Sequence, residues 1–337
     1  MIENLDLNQI IFIISVMAIS AVPVGFMAGL FGIGGGLITV PVLFYIFNSI
    51  GLDQSIIMHL AVGTSFAIII PTSISSVITH MKYKAVDFNV VKTFGIFVVS
   101  GVILGTIFAA NLKTSGLILF FSIMTMIFSI FFLISKEKQN PVKKKINLLI
   151  KFLSGFTSGF LSAPMGIGGG IINTPILKMF GYPIKVAIGC SAAVGFIIAI
   201  IGAIGFAVSG SYLKINAPLS LGFINIPTFL IFVPITMFMA KIGARSVHKF
   251  DKRLIGKLFG IYLFIMYFIL SCAHHRSGRY VYKNGKWMFE KSNIGFAHNG
   301  IDFGRVDNKQ YAMLDEGRFI WPVPSSKKVS SFRQLFF

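Results

Sequence analysis

Charged residues are scarce in this sequence, at only 12% of 337 residues, whereas 55% are hydrophobic. A soluble domain of that composition would expose large apolar patches to water, so the sequence predicts a multi-pass membrane protein. The net charge of +19 does not indicate a nucleic-acid partner. Up to Leu270 the Lys and Arg residues cluster in short connections between apolar runs, as expected for segments embedded in lipid.

Motifs for catalysis and metal binding are also missing. The two cysteines, Cys190 and Cys272, are far apart and lack CxxC spacing, which excludes a metal site or a disulfide framework built on them. No HExxH, GxSxG or Walker sequence occurs, and no carboxylate falls in the middle of an apolar run. We therefore predict neither an enzyme nor a cofactor, and no proton relay based on carboxylates.

An internal repeat is what the sequence does contain. The pentapeptide Gly-Ile-Gly-Gly-Gly occurs at residues 32–36 and again at 166–170, each time five residues before a proline. Gly63-Thr64-Ser65 has a counterpart in Gly189-Cys190-Ser191. A five-segment unit is thus used twice, which predicts membrane repeats at 1–140 and 141–270. The apolar runs lie at 9–31, 36–50, 56–80, 90–110, 115–135, 146–166, 170–181, 186–210, 218–247 and 254–270.

The apolar segment after each glycine block has only about 12 to 15 residues, or roughly 18–22 Å of helix, too little to cross about 30 Å of hydrocarbon. Each block then joins two arms of a hairpin inside the membrane, and three crossings remain per unit. Because three is odd, the second unit should be inserted upside down. With the basic linker 136–145 in the cytoplasm, the basic segment 245–253 also becomes cytoplasmic, in agreement with the positive-inside rule.

The ends of the chain differ from this region. Residues 1–9 carry Glu3 and Asp6 but no basic residue, which favours a retained first helix over a cleaved signal peptide. From residue 271 to 337 the long apolar runs disappear. Hairpin-like sequences such as 283–286 and 298–300 indicate a polar tail, which is a small accessory β-module or an added segment. This topology places the tail on the outer side of the membrane, opposite the cytoplasm.

The two glycine blocks are the candidate site. Without Cβ atoms, these residues can adopt positive φ and direct backbone N–H groups at a ligand, at the start of a short helix that carries roughly half a positive charge. Close helix packing is the alternative, and we favour it for isolated pairs such as Gly101 and Gly105. For the duplicated block we favour a site for a small anion, because broken helices at matching positions mark transporter sites. Its glycines are Gly34, Gly35, Gly36, Gly168, Gly169 and Gly170.

Small polar side chains surround these blocks and can donate to oxygen atoms without a buried charge. Each could instead bond a helix carbonyl one turn back, which is the commoner role for any single one. We expect them to line the site because they converge on the glycine turns. They are Thr39, Thr64, Ser65, Asn173, Thr174 and Ser191. For His59 and His80, near the ends of the third run, we favour interfacial or core placement over a proton relay.

These residues resemble the TauE/SafE family of sulfite and sulfonate exporters. The resemblance covers about residues 9–270 and rests on the sequence from Gly29 to Pro41, on 61–65, on His80 through Asp87, and on the second block through Pro175. It implies a multi-pass permease of a bacterial inner membrane for small sulfur-containing or organic anions. The sequence departs from the pattern at Cys190, where a threonine is expected, and in its 67-residue extension.

We therefore expect an all-α integral membrane protein of 8–10 membrane segments, with two inverted repeats and a small anionic substrate such as sulfite or a sulfonate. Its other partner is the lipid bilayer, and its oligomeric state is left open. The alternatives are a permease for another solute and a non-transporting membrane scaffold whose glycines only pack helices. A membrane enzyme ranks last because no buried catalytic acid or base is evident.

Overall fold

A computed structural model describes residues 7–32, 34–50, 52–134, 147–213 and 219–246, together with 260–261, 263–265, 267–268 and five strands after residue 277. Within the described residues, nine helices and one short hairpin form the apolar region. They are α1 (Leu7–Phe31), α2 (Gly36–Ser49), α3 (Ile57–Lys82), α4 (Phe88–Asn111), α5 (Thr114–Ile134), α6 (Leu148–Met165), α7 (Gly170–Met179), α8 (Ile184–Tyr212), the strands β1 (Ser220–Leu221) and β2 (Ile224–Asn225), and α9 (Ile226–Ser246).

Seven of the described helices are long and apolar enough to cross a membrane. Large apolar side chains cover the outside of this bundle, for example Ile96, Ile204 and Phe238, which are 60–65% exposed. In water such a surface would be unfavourable, whereas in hydrocarbon it is the required one. The prediction of an all-α, multi-pass integral membrane protein is therefore confirmed.

The two helices that begin at the glycine blocks are short, as the sequence predicts. Helix α2 has 14 residues and α7 has 10, about 21 Å and 15 Å of helix, so neither covers the hydrocarbon thickness. Both contain the predicted proline, Pro41 or Pro175, within their second turn.

Long helices of one half pack along long helices of the other half, at glycines that let the backbones meet. Gly25 lies against Thr236 and Gly29 against Ala240, so α1 runs parallel to α9. In the other pair, Gly155 and Gly159 of α6 lie against 94–102 of α4, and Gly101 and Gly105 of α4 lie against 156–163 of α6. The interpretation of Gly101 and Gly105 as packing residues is confirmed.

Helices α3 and α8 form the buried centre and run in opposite directions. Phe66, near the start of α3, packs on Gly202 and Phe206, near the end of α8. At the opposite end of the bundle, His80, near the end of α3, lies 3.3 Å from the Gly29 carbonyl of α1. The next residue of α1, Leu30, packs on Ile188, near the start of α8, so the end of α3 lies close to the start of α8. Equivalent contacts thus recur with the two halves exchanged. Insertion of the halves in opposite senses across a bilayer stays a prediction.

The chain divides into two compact units, Met1–Leu270 and Ser271–Phe337. In the second unit, five antiparallel strands pair in chain order. Lys283 pairs with Lys286, which is the hairpin expected there, whereas the expected turn at 298–300 lies outside the described residues. The strands are β3 (Gly278–Lys283), β4 (Lys286–Lys291), β5 (Asp302–Val306), β6 (Lys309–Met313) and β7 (Phe319–Val323).

Candidate functional site

Each glycine block turns the chain sharply and starts a short helix. Gly35 precedes α2 with φ 83° and Gly169 precedes α7 with φ 67°, both in the left-handed region that glycine adopts without strain. A glycine at this position has no side chain to accept hydrogen bonds from the first N–H groups of the helix. The N–H groups of Ile38 and Ile172 donate to the Gly35 and Gly169 carbonyls at 3.0 Å. Only the first two N–H groups of each helix therefore have no acceptor within their own turn, and these are the donors that each helix start offers to a ligand.

The two turns meet in the middle of the bundle. A Cβ added at Gly36 would press on the carbonyl oxygen of Gly166 and would lie 2.8 Å from the Cα of Ile167. The hydroxyl of Ser65 donates to the same Gly166 carbonyl at 2.9 Å. Gly34 faces Ile69, halfway along α3. The structure therefore brings together the first turn, the second turn and the Gly63-Thr64-Ser65 segment.

The second turn has polar surroundings. Asn173, in the first turn of α7, is fully buried, and its Oδ1 accepts from the hydroxyl of Ser158 in α6. Its Nδ2 is also fully enclosed, and among the described residues it has no hydrogen-bond partner. A Cβ added at Gly169 would lie 2.8 Å from this Nδ2 and 3.2 Å from the hydroxyl oxygen of Ser162. An unpaired amide donor and two serine hydroxyls thus lie beside the start of α7.

The first turn has apolar surroundings. The positions that correspond to Ser158 and Ser162 are occupied by Val24 and Ala28, and a Cβ added at Gly35 would touch both. Thr39, which corresponds to Asn173, donates its hydroxyl proton to the Gly35 carbonyl at 3.0 Å. That bond one turn back is the ordinary role of a helical threonine. Ser162 makes the same kind of bond, to the Ser158 carbonyl. The difference between the turns is therefore the unpaired Nδ2 of Asn173, which has no counterpart beside the first turn among the described residues.

Thr64 of α3 and Cys190 of α8 bond the residues that directly precede α9 and α4. The Thr64 hydroxyl accepts from the backbone N–H of Asn225 at 2.9 Å, and the Cys190 thiol accepts from the N–H of Asp87 at 3.3 Å. Asp87 and Asn225 in turn accept from the first N–H groups of α4 and α9 with their side chains. Although the side chain changes from Thr to Cys between the halves, the bond is conserved. Both positions therefore link helices.

The remaining candidates also have partners. Thr174 donates to Ser191 at 2.9 Å, which ties α7 to α8. His59 is buried, stacks on Phe223 with ring centroids 5.0 Å apart, and bonds the Ala109 carbonyl at 3.2 Å. His80 is buried and lies 3.3 Å from the Gly29 carbonyl. These contacts favour a packing role for both histidines over a proton relay.

The sequence interpretation overlooked Ser158 and Ser162. They lie four residues apart on α6, two turns and one turn before the second glycine block, so they share a face of the helix. A signal for them exists in the repeat alignment, since both change from apolar residues in the first half to serine in the second. The differences between the two halves therefore locate polar groups that their shared motif does not.

A multi-pass bundle with two broken helices meeting at its centre has the architecture of a membrane transporter. The sequence model of the sulfite exporter TauE/SafE family matches residues 17–270. The chain belongs to this family, and the match ends where the first compact unit ends.

Curated relatives support the same class. The chain is 32% identical to a probable membrane transporter protein of Haemophilus influenzae over 242 residues, covering 72% of this chain and 92% of that protein. A probable membrane transporter protein of Methanocaldococcus jannaschii is 28% identical, covering 73% of this chain and 90% of its own. The probable membrane transporter protein YunE of Bacillus subtilis is 26% identical, with 72% and 91% covered. No solved structure matches the chain.

Proposed function

We propose that this transporter moves a small oxyanion, sulfite or an organosulfonate, and that the anion binds at the second glycine turn. The observation that carries the proposal is the fully buried, unpaired Nδ2 of Asn173 beside Gly169. Leaving a buried donor without a partner costs about 1–3 kcal/mol. A protein that retains such a group at a helix start has a use for it, and an oxyanion is the partner that fits.

The donors at this turn suit an anion and disfavour a cation. The first N–H groups of α7 are directed toward the turn, and the aligned peptide dipoles add roughly half a positive charge there. The Asn173 amide adds a neutral donor, oriented because its Oδ1 is held by the Ser158 hydroxyl. Hydrogen bonds to an ionised group contribute about 1.5–3 kcal/mol each, so removing one donor should weaken binding about ten- to hundredfold.

Transport requires the turn to open alternately to each side. Ile198 of α8 lies over the second turn, with its Cδ1 2.5 Å from a Cβ added at Gly169, so the structure holds the turn covered. In the proposed mechanism the two halves rock about the turns. Helix α8 belongs to the same half as Gly169 but packs on α3 of the other half, so it shifts relative to α7 and uncovers Gly169 to one side at a time. Because α3 of the first half packs on α8 at the centre, movement of the first half also moves Ile198, which covers the second glycine turn. The family description favours export as the direction.

The test is flux of sulfite, taurine and sulfate into proteoliposomes that contain the full chain, measured by counterflow. Asn173→Asp keeps the size of the side chain but replaces the donor with an acceptor, so sulfite or sulfonate flux should fall at least tenfold. The paired variant Asn173→Leu with Ser158→Ala removes both partners of one hydrogen bond, which is nearly neutral for stability. It should also lose flux.

Thr106→Val is the matched control. Thr106 of α4 is 4% exposed and, within the described residues, its hydroxyl is unpaired as well, but it packs against Gly205 rather than a glycine turn. Removing it should leave flux unchanged. Wild-type flux in Asn173→Asp would disprove the site, and a gain in cation flux there would favour a cation permease. Absence of flux for every anion in the wild type would favour the scaffold alternative.

A further inference from the structure

A cavity of about 680 Å³ lies between the ends of α3 and α9, away from the glycine turns. Three of its lining residues are cationic: Lys82 at the end of α3, and Lys241 and Arg245, which lie one turn apart on α9. Of the other six lining residues, three are apolar and three carry hydroxyl groups. These residues are Ile74, Ser75, Ile78, Thr79, Tyr83 and Met237.

The cavity changes in character with depth. Ile74 lies eight residues before Lys82 on α3, which places the apolar part about 12 Å below the cations along the helix axis. The hydroxyls in the deeper part already donate their protons to carbonyl oxygens, Ser75 to Met237 at 2.8 Å and Thr79 to Ser75 at 2.9 Å. Only their acceptor lone pairs remain, which repel an anion. A negative group therefore fits at the cationic end and hydrocarbon fits below it.

The charge is specific to this end of the molecule. Aligning Gly63 with Gly189 and Gly243 with Gly105 gives the corresponding positions in the other half. There Lys82 becomes Val208, Lys241 becomes Ile103 and Arg245 becomes Ile107, each of which is 47–62% exposed on the outer surface. At these three positions the surface is thus apolar in one half and cationic in the other.

We propose that this cavity binds an anionic phospholipid, with the headgroup phosphate on Lys82, Lys241 and Arg245 and an acyl chain along Ile74 and Ile78. The volume corresponds to about 23 water molecules, taking roughly 30 Å³ for each, which is far more than an oxyanion of a few atoms occupies. Ile74 and Ile78 are exposed one turn apart on the outside of the bundle, where lipid chains lie. Basic pockets between membrane helices recognise anionic headgroups by this chemistry.

The experiment titrates the purified full chain with phosphatidylglycerol or phosphatidylcholine of identical acyl chains and counts bound lipids by native mass spectrometry. Wild type should prefer phosphatidylglycerol. The double variant Lys241→Gln, Arg245→Gln should lose about 25-fold in that preference, at about fivefold per cation. Ile78→Trp, which fills the apolar part without changing the charge, should weaken both lipids alike.

The matched control is Lys84→Gln with Lys92→Gln, which removes two cations near the same end of the bundle that do not line the cavity. It should keep the preference. Equal binding of both lipids by wild type, or equal loss in the two double variants, would overturn the proposal. Displacement of the lipid by free sulfite at similar affinity would identify a solute vestibule instead. None of these outcomes depends on the flux measurements at the second glycine turn.

Discussion

Replacing Gly36 with alanine tests whether the two glycine turns are in contact. Gly36 is the first residue of α2, and its φ is not in the left-handed region, so alanine is compatible with its backbone. The obstacle is the neighbouring turn, because the new Cβ would press on the Gly166 carbonyl and lie 2.8 Å from the Cα of Ile167. Two carbon atoms attract best at about 3.5–4.0 Å, so the turns must separate by about 1 Å.

Overpacking of a buried contact costs about 1–3 kcal/mol. This cost is larger than the few tenths to about 1 kcal/mol by which alanine stabilises a helix relative to glycine. The matched control is Gly95→Ala in the interior of α4, where the added Cβ meets only Ile197 Cδ1 at an ordinary 3.7 Å. Gly95→Ala should be neutral or stabilising by up to about 1 kcal/mol. The two variants should therefore shift stability in opposite directions.

The assay heats each detergent-solubilised variant and measures the monodisperse fraction by size exclusion, giving an apparent Tm. Gly36→Ala should fall below the wild type and Gly95→Ala should not. A Gly36→Ala protein as stable as Gly95→Ala would refute the contact between the turns. That result would also contradict the close approach of the starts of α2 and α7.

Two further predictions concern the linking bonds and the topology. Cys190→Thr should change the free energy of unfolding by less than about 1 kcal/mol, because a threonine hydroxyl can accept from the Asp87 N–H as Thr64 does at its own site; a large loss in thermal stability would contradict this. Single cysteines placed at Lys143 and Lys252 should react with an impermeant maleimide from the same side of the membrane, and labelling from opposite sides would exclude the inverted repeat.

The helices could be predicted from the sequence because hydrocarbon demands long apolar runs, and interrupted runs are conspicuous. The shortness of α2 and α7 could be predicted from the number of residues in their apolar runs. The pairing of α1 with α9 and of α4 with α6 could not be predicted. Since these helices are apolar on all faces, no periodic pattern shows which side packs on protein. Only the glycines along them indicate which side packs on protein, and they do not indicate which helix packs there.

The position of the two glycine turns could be predicted, whereas their role as a binding site stays a prediction. The glycine turns follow from the absence of Cβ atoms and from duplication, which a sequence displays directly. The direction of a hydroxyl does not. Thr39 makes the bond one turn back that the sequence offered as the alternative, and Thr64 accepts from Asn225, which lies near it only in the folded chain. Ser158 could not be found from the motif that the two halves share, because it is polar in the second half only and corresponds to Val24 in the first.

The parallel pairing of α1 with α9 also constrains how the chain is made. Ribosomes add about 5–20 residues per second, and α9 begins about 200 residues after α1 ends, so α1 waits roughly 10–40 s for its partner. During that interval its glycine face, with Gly25 and Gly29, is open to lipid or to a membrane chaperone. Because α6 finds α4 already inserted, that pair between the halves can form at once, whereas α1 gains its partner only after α9 has been made.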